Sequence, residues 1–432
     1  MSKSILILVI FLFINQCSFN KNSKFWNPVK LKQDDNKKEI FKEIAISNFE
    51  INTDLEINIK NAIFSKNSFQ NNLTNNNGRL RYDGKFKKAL KFNFSKISKF
   101  SEFEPEIIID KNSLIFFSNK GSILKFDEKS ELIWKKNYYS KQEKKLKPIL
   151  FFAKHKENLI VADNIAKIYA LNVNTGELKW EKNNSSAFNS ELKIYKDKFF
   201  LIDYQNILRS FSIKDGEEIW KMKTENSILK SKKKLSLVIK DNKIIFSNSV
   251  GDIIAADVET GNLLWIVPTL RGKSSAKSYF LKLSNLVLDN DTVYFSTNKN
   301  EFYSIDTNNG LVNWIQNISS SIKPTIIDNF IFSLTNDGYL VILDSSSGSI
   351  IRKTNIFAHI KDKKRKKLKV SGFIVGKDKI YVSTNKGKIL VVSILNGKTI
   401  SSLKIDNNQI SRPFVLNQNL FVIKDNGIIK IE

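Results

Sequence analysis

Tryptophan recurs along this chain at a nearly constant interval. Five of the six tryptophans are separated by 46, 40, 45 and 49 residues, and they are Trp134, Trp180, Trp220, Trp265 and Trp314. A period of 40 to 50 residues is typical of repeated structural units that must stack on one another to bury their apolar faces. The sequence therefore favours one large repeat architecture over a series of unrelated domains.

Most of these tryptophans close a short motif that has a glycine four residues earlier. The intact glycines are Gly176, Gly216, Gly261 and Gly310. Weaker copies occur at Gly348 with Arg352 and at Gly397 with Ser401, and Ser130 replaces the glycine ahead of Trp134. These seven copies predict a turn in which glycine takes a positive φ, followed by a strand that carries the tryptophan.

Two short segments with alternating polarity precede each motif, for example residues 243–248 and 252–257. Period two predicts strands, so each unit is expected to contain four antiparallel strands, A to D. Four-stranded units with this period form propeller blades. An eighth unit near the C-terminus has three strands, and residues 86–94, with Phe86, Leu90, Phe92 and Phe94, are expected to supply the fourth. The predicted fold is all-β, an eight-bladed β-propeller over residues 86–432 whose ring an N-terminal strand closes.

The N-terminus has the pattern of an export signal. The apolar run over residues 5–14 is about half of the length that a membrane-spanning helix needs, so residues 1–16 are expected to be a signal peptide. Cys17 is the one cysteine of the chain, and its position resembles that of a bacterial lipidation site, with Ser18 favouring the outer membrane. An ordinary signal peptide with an incidental cysteine is the alternative. Residues 17–40 are expected to form a lipidated tether, and residues 41–85 an N-terminal extension.

The chain carries a net charge of +27, but only seven of its 70 basic residues are arginine. Recognition of phosphate and bases favours the planar arginine fork, so we expect no nucleic-acid binding. Residues 141–147, 230–234 and 361–369 are rich in lysine and fall between units, where they are expected to lie on one face of the ring. The run at 361–369 could bind anionic groups or acidic proteins, or be a solvated loop. Two histidines leave little for metal chemistry.

The motif from Asp257 to Trp265 resembles the repeat of the pyrroloquinoline-quinone-type eight-bladed propellers. Two kinds of protein share this repeat. Quinoprotein dehydrogenases bind the quinone and Ca²⁺ in the ring and usually have a vicinal cysteine pair, which this chain cannot form because it has no cysteine after Cys17. The other kind is the BamB family of outer-membrane assembly lipoproteins, which are not enzymes and which this chain is similar to in length, export signal and blade number.

One loop resembles that family more closely. Residues 266–276 contain a Leu-Arg-Gly-x-Ser core like that of the loop through which BamB proteins contact the POTRA domains of BamA. The resemblance implies that Leu270 is an apolar anchor, that Arg271 forms hydrogen bonds and that Gly272 shapes the loop. A chance tripeptide in a variable loop is the alternative. Residues 319–323, in the next such connection, lack the acidic residues that assist this contact in the family.

These observations together lead to an expected function. We expect a non-enzymatic scaffold lipoprotein of the barrel-assembly machinery, anchored by lipid alone at the periplasmic face of the outer membrane and without a cofactor. Its expected partners are the POTRA domains of BamA and nascent outer-membrane proteins. A small periplasmic quinoprotein dehydrogenase and a polyanion-binding propeller are the alternatives.

Overall fold

The structure is a computed structural model that describes residues 57, 59, 64–65, 67–68, 72–82, 84–98, 100, 103, 105–225, 233–269 and 281–432. All of these residues belong to the second of two compact units, which spans residues 49–432. In this described part of the chain, no helix has the length and apolar character needed to cross a membrane.

The described residues are almost entirely β-structure. The first two strands are β1 (Phe64–Ser65) and β2 (Arg79–Leu80), and the rest are β3 (Lys88–Asn93), β4 (Ile108–Asp110), β5 (Ser113–Phe117), β6 (Ile123–Phe126), β7 (Leu132–Lys136), β8 (Leu150–His155), β9 (Asn158–Asp163), β10 (Lys167–Asn172), β11 (Leu178–Asn183), β12 (Lys193–Tyr195), β13 (Lys198–Ile202), β14 (Ile207–Ser212), β15 (Glu218–Lys223), β16 (Leu237–Lys240), β17 (Lys243–Ser247), β18 (Asp252–Asp257), β19 (Leu263–Pro268), β20 (Val287–Asp289), β21 (Thr292–Thr297), β22 (Glu301–Asp306), β23 (Val312–Gln316), β24 (Thr325–Ile327), β25 (Phe330–Leu334), β26 (Tyr339–Asp344), β27 (Ile350–Asn355), β28 (Val370–Val375), β29 (Lys379–Thr384), β30 (Lys388–Ser393), β31 (Thr399–Lys404), β32 (Phe414–Leu416), β33 (Asn419–Lys424) and β34 (Gly427–Ile431). Two short α-helices, Lys141–Lys145 and Asp362–Arg365, and a 3₁₀ turn at Asn119–Gly121 lie between strands.

Eight sheets form the ring, which confirms the predicted eight-bladed propeller. Blades 1 to 7 are seven consecutive groups of four antiparallel strands, from β4–β7 to β28–β31. Within each blade the strands follow the order A to D. The A strands of neighbouring blades contact one another, as in β4 with β8 and β12 with β16, so the A strands line the central channel.

The eighth blade combines the two ends of the domain. Strands β32, β33 and β34 supply A to C, and β3 pairs antiparallel with β34 as strand D, with Phe92 opposite Ile428 and Asn93 opposite Gly427. The prediction that an N-terminal strand closes the ring is therefore confirmed. This pairing gives blade 8 its fourth strand, so that the outer edge of its strand C is paired.

Burial differs sharply between the middle and outer strands of a blade. In blade 2, β9 is buried from its second residue to its last, whereas every residue of β11 is exposed or half-buried. Neighbouring blades cover both faces of each sheet, which explains the continuous apolar runs in the middle strands. The core is accordingly a set of layers between blades, such as the layer of Phe151, Phe188, Phe199 and Leu201 between blades 2 and 3.

The glycine–tryptophan motif is a contact between blades. The indole of Trp180, on strand D of blade 2, covers Gly216 in the C–D turn of blade 3, where an added Cβ would lie 2.5 Å from the ring. Trp180 Nε1 also donates a hydrogen bond to the Ile213 carbonyl at 3.0 Å. The same stacking joins Trp134 to Gly176, Trp220 to Gly261, Trp265 to Gly310 and Trp314 to Gly348. Glycine is thus required both by its φ of +75° and by the approach of the indole.

Two departures from the motif keep part of this arrangement. Ser130 takes the glycine position of blade 1 with a φ of +72°, and the blade before it, blade 8, has no tryptophan on β3. Arg352 takes the tryptophan position of blade 6 and is fully buried. Its Nη1 donates to the Ile394 carbonyl at 2.9 Å, three residues before Gly397, as the indole of Trp180 does three residues before Gly216.

Candidate functional site

The channel through the ring has two ends, each formed by one face of the propeller. The A–B face is the face at which the A–B and C–D turns open. The D–A face is the opposite one, at which the B–C turns and the D–A connections between blades open. Hydrogen bonds join the two kinds of segment on the D–A face: Ile149 N donates to Asn164 Oδ1 at 2.8 Å, and Lys369 N donates to Asn385 Oδ1 at 2.9 Å.

An N-terminal segment closes the channel at the A–B face. The backbone nitrogen of Ile239 in blade 4 donates to the Leu73 carbonyl at 2.8 Å, and that of Leu288 in blade 5 donates to the Thr74 carbonyl at 2.8 Å. Strand β2 pairs in parallel with β28 of blade 7, and β1 pairs in parallel with β2. The segment thus extends the inner edge of blade 7 and ties it to other blades.

Further contacts carry this segment around the ring. Asn76 Nδ2 donates to the Ile326 carbonyl of blade 6 at 3.0 Å, and the Ser68 nitrogen donates to the Val415 carbonyl of blade 8 at 2.7 Å. Both partners lie within three residues of an A–B turn. We name the described residues 64–82 the channel plug, because they bond to the A strands of blades 4 to 8 at one mouth of the channel.

Asn75 joins the channel plug to buried polar groups of the ring through hydrogen bonds. It is buried and takes a φ of +60°. Its Nδ2 donates to Glu191 Oε2 at 3.0 Å and to the Leu286 carbonyl at 2.9 Å. Lys193 Nζ donates to Asn75 Oδ1 and, at 2.9 Å, to the Asn72 carbonyl, which adds blade 3 to the contacts of the plug.

Glu191 is a fully buried carboxylate at the centre of this network. Its Oε2 accepts from the Leu237 nitrogen and from Ser236 Oγ, each at 2.9 Å, and its Oε1 accepts from Asn285 Nδ2 at 2.6 Å. Burial opposes ionisation, but the charges of Lys193 and Lys234 and these hydrogen bonds outweigh it and lower the pKa of Glu191 to about 2. Burial also lowers the pKa of Lys193, against the attraction of Glu191. The network therefore holds the plug in place.

Above the plug, the described residues leave a cavity of about 90 Å³, lined by Asn75, Glu106, Glu191 and Arg412 among others. Pockets that hold cofactor-sized molecules enclose about 300–1,000 Å³. Pyrroloquinoline quinone therefore does not fit the cavity that the described residues leave above the plug. No sequence pattern pointed to Asn75, Glu191, Lys193 or Asn285, because they lie in segments without a period.

The two faces of the propeller differ in charge. The lysine-rich segments at 141–147 and 361–369 lie in D–A connections, as do Lys233 and Lys234, while residues 230–232 are outside the described part of the chain. Residues 356–369 alone hold seven basic residues and one acidic residue. In the A–B and C–D turns of blades 1 to 8, acidic residues outnumber basic ones by thirteen to seven. The D–A face is therefore the basic face.

Leu270, Arg271 and Gly272 belong to the D–A connection between β19 and β20 and lie outside the described residues, as Cys17 does. The connection leaves blade 4 at the D–A face, since Thr269 Oγ1 donates to the carbonyl of Gly251 in the B–C turn at 2.6 Å.

Fold and channel define a class, the eight-bladed propellers built from pyrroloquinoline-quinone-like repeats, here with a channel closed by the chain's own N-terminal segment. Family comparison narrows this class. Residues 119–354 match the model of the family described as outer membrane protein assembly factor BamB, and the chain belongs to that family. The expected family is thereby confirmed.

Relatives and solved structures agree with this assignment at low identity. The chain is 22% identical over 247 residues to outer membrane protein assembly factor BamB of Shewanella oneidensis, a match that covers 50% of this chain and 57% of that protein. BamB from Moraxella catarrhalis superimposes with a TM-score of 0.63 and 16% identity, covering 79% of this chain and 99% of that one. A europium-containing methanol dehydrogenase superimposes with a TM-score of 0.64 and 11% identity, covering 82% and 88%. The two structures therefore show the shared fold alone.

Proposed function

We propose that this protein is a non-enzymatic scaffold of the outer-membrane barrel-assembly machinery. The observation that carries the proposal is the channel plug in a propeller of the BamB family: Asn75 and its neighbours occupy the central channel of the ring. The sequence resemblance implies that quinoprotein dehydrogenases bind their quinone within this ring. The N-terminal segment bonds to several blades and so holds the ring together. The faces and outer strands of such a ring are suited to bind other proteins.

The proposed partner-binding element is the connection over residues 268–276. Leu270 would anchor it on the POTRA domains of BamA, Arg271 would donate hydrogen bonds, and Gly272 would shape the turn. Thr269 places the start of this connection at the D–A face. An aliphatic residue beside an arginine suits an interface centre, where a few residues carry most of the binding energy. The proposed role is to help present nascent outer-membrane proteins to BamA.

The proposed location follows from the N-terminal sequence. Residues 1–16 would be removed as a signal peptide, Cys17 would be lipidated, and residues 17–40 would tether the folded body to the periplasmic face of the outer membrane. Residues 41–85 would then be an N-terminal extension, whose described part includes the channel plug. Lipid would be the only contact with the membrane that this proposal requires.

The test of partner binding is the double substitution Leu270→Ala with Arg271→Ala. Loss of an interface hot spot costs about 2 kcal/mol or more, which is roughly thirtyfold in affinity, so BamA should no longer co-purify. The melting temperature should change no more than it does for an ordinary surface substitution. Co-purification at the level of the unsubstituted protein would contradict the assignment.

A matched control is available on the opposite face. Leu395 and Lys398 are exposed in a C–D turn, so Leu395→Ala with Lys398→Ala removes the same kinds of group from the A–B face. This control should keep BamA bound. Equal loss in both double variants would show that the effect is not specific to residues 268–276.

The enzymatic alternative has a separate test. Purified protein incubated with pyrroloquinoline quinone and Ca²⁺ is expected to leave an electron-accepting dye oxidised in the presence of alcohols. Dye reduction that requires the quinone would contradict the scaffold proposal.

A further inference from the structure

A groove of about 470 Å³ lies on the D–A face between blades 5, 6 and 7. Its lining includes Ser319, Asn336, Asn355, Arg365, Lys366 and Lys369. We name it the blade 5–7 groove. Ser319 comes from the connection between blades 5 and 6, Asn336 from the B–C turn of blade 6 and Asn355 from the end of β27. The basic residues come from the connection between blades 6 and 7.

Hydrogen bonds hold the walls of the groove in place. The Ser321 nitrogen donates to Asn336 Oδ1 at 3.2 Å, and the Val370 nitrogen donates to the Asn336 carbonyl at 3.0 Å. These two bonds join the connection between blades 5 and 6, and the first residue of β28, to the B–C turn of blade 6. On the basic wall, the helix Asp362–Arg365 is closed by a bond from the Lys366 nitrogen to the Asp362 carbonyl at 3.0 Å. The groove is therefore formed before any partner arrives.

The lining of the groove carries a net positive charge, with three basic residues and one acidic residue. Arg365 pairs with Asp362 at 2.6 Å, whereas Lys366 and Lys369 are exposed. The one acidic residue of the lining, Asp337, accepts a hydrogen bond from Thr335 Oγ1. Acidic residues predominate in the turns of the opposite, A–B face. The electrostatic field of the protein therefore directs an anionic partner toward the groove on the D–A face.

We propose that the blade 5–7 groove binds an acidic, extended segment of a partner protein. Lys366 and Lys369 would contact its carboxylates, and Nδ2 of Asn355 would donate a hydrogen bond to its backbone, while Asn336, whose amide bonds to Ser321, shapes the wall. A concave site lined by amides and hydroxyls suits a peptide, whereas a flat anionic membrane surface cannot enter it. The inference deepens the proposed scaffold function, because it adds a second protein-binding surface on the face from which residues 268–276 leave.

The test measures binding of a defined probe to the full-length protein in detergent. The probe is a fluorescein-labelled twelve-residue peptide of alternating Asp and Ser, followed by fluorescence anisotropy. Lys366→Glu with Lys369→Glu should weaken binding about tenfold or more, because two attractive contacts become repulsive. Affinity should fall with added salt, since exposed charges are screened over about 10 Å at 0.1 M.

The matched control reverses two charges elsewhere on the same face. Lys141 and Lys145 are exposed on the helix between blades 1 and 2, away from the groove, so Lys141→Glu with Lys145→Glu changes the net charge equally. This control should weaken binding no more than about threefold, the effect of the general field alone. Equal weakening by both pairs would overturn the proposal, as would a groove variant that binds the peptide normally.

Two further measurements separate the possible sources of failure. If the groove variant loses binding to vesicles with 30% phosphatidylglycerol but keeps the peptide, the site recognises membrane and the proposal is wrong. The peptide assay contains no BamA, so loss of the BamA interaction in the Leu270→Ala, Arg271→Ala variant tests the proposed function alone. That variant should still bind the peptide with unchanged affinity.

Discussion

Alanine in place of Gly216 is expected to destabilise the propeller by more than backbone strain alone. Gly216 has a φ of +75°, and an added Cβ would lie 2.5 Å from the indole of Trp180 in the preceding blade. A left-handed conformation costs a residue with a Cβ about 1–2 kcal/mol. Overpacking against a ring that the neighbouring blade holds adds about 1–3 kcal/mol. The expected cost of Gly216→Ala is therefore about 2–5 kcal/mol.

The expected change in melting temperature follows from the size of the domain. An unfolding entropy of about 2.1 cal/mol/K per residue over roughly 350 residues makes each kcal/mol worth about 1.4 °C. Gly216→Ala should lower the melting temperature by about 3–7 °C, measured by circular dichroism and compared with the urea midpoint. A smaller residue at the clashing position, in Trp180→Leu, should recover part of the overpacking cost in the double variant.

Gly78 provides the control for backbone strain. Its φ is +54°, and an added Cβ would meet no atom within 4 Å. Gly78→Ala should therefore show the strain without the clash, a decrease of about 1–3 °C. If the two alanine variants melt at the same temperature, or if Trp180→Leu fails to couple to Gly216→Ala, the indole does not determine the need for glycine at this position.

Two further predictions concern the channel and the anchor. Ionised Glu191 stabilises the fold above the ordinary glutamate pKa of 4.5, and this contribution is lost as the pH falls toward about 2. Glu191→Gln should therefore be less stable at neutral pH, and it should lose less stability between about pH 5 and 3 than the unsubstituted protein. Acid titrations followed by circular dichroism that have equal slopes for both proteins would contradict this. Cys17→Ser should convert a protein that partitions into detergent into one that stays in the aqueous phase, and a mature N-terminus other than residue 17 in the unsubstituted protein would refute lipidation.

The ring was predictable because its determinants repeat along the chain. Strands β17 and β18 coincide within one residue with segments chosen for their alternation, and β3 lies within the segment expected to close the ring. Alternation reports the environment of each residue within its own blade, and the turn glycines recur because each blade contacts the next one in the same way. The order of the strands then fixes the face of each connection, which is how the basic face could be anticipated from residues 141–147 and 361–369.

The channel plug was not predictable from such signals. Residues 72–80 bond through backbone carbonyls, through Asn75 and through Asn76, and none of these groups imposes a period on the sequence. Glu191 looks like any acidic residue of a connection until the ring brings Asn75, Leu237 and Asn285 around it. Contacts between residues 116 or more positions apart, as for Asn75 and Glu191, follow from closure of the ring and not from local pattern.

The departures from the motif follow from its being a contact between blades. A glycine is required where the preceding blade places a large side chain over the turn, so Ser130 is tolerated after β3, which has no tryptophan. Gly397 persists although Arg352 replaces the tryptophan before it, because a Cβ there would lie 2.8 Å from Thr354 Oγ1. Arg352 itself keeps the hydrogen bond to the next blade, to the Ile394 carbonyl. The indoles of Trp134, Trp180, Trp265 and Trp314 likewise donate to a carbonyl of the next blade. In most blades the repeat therefore combines such a donor with a turn that lacks a Cβ wherever the neighbour fills that space.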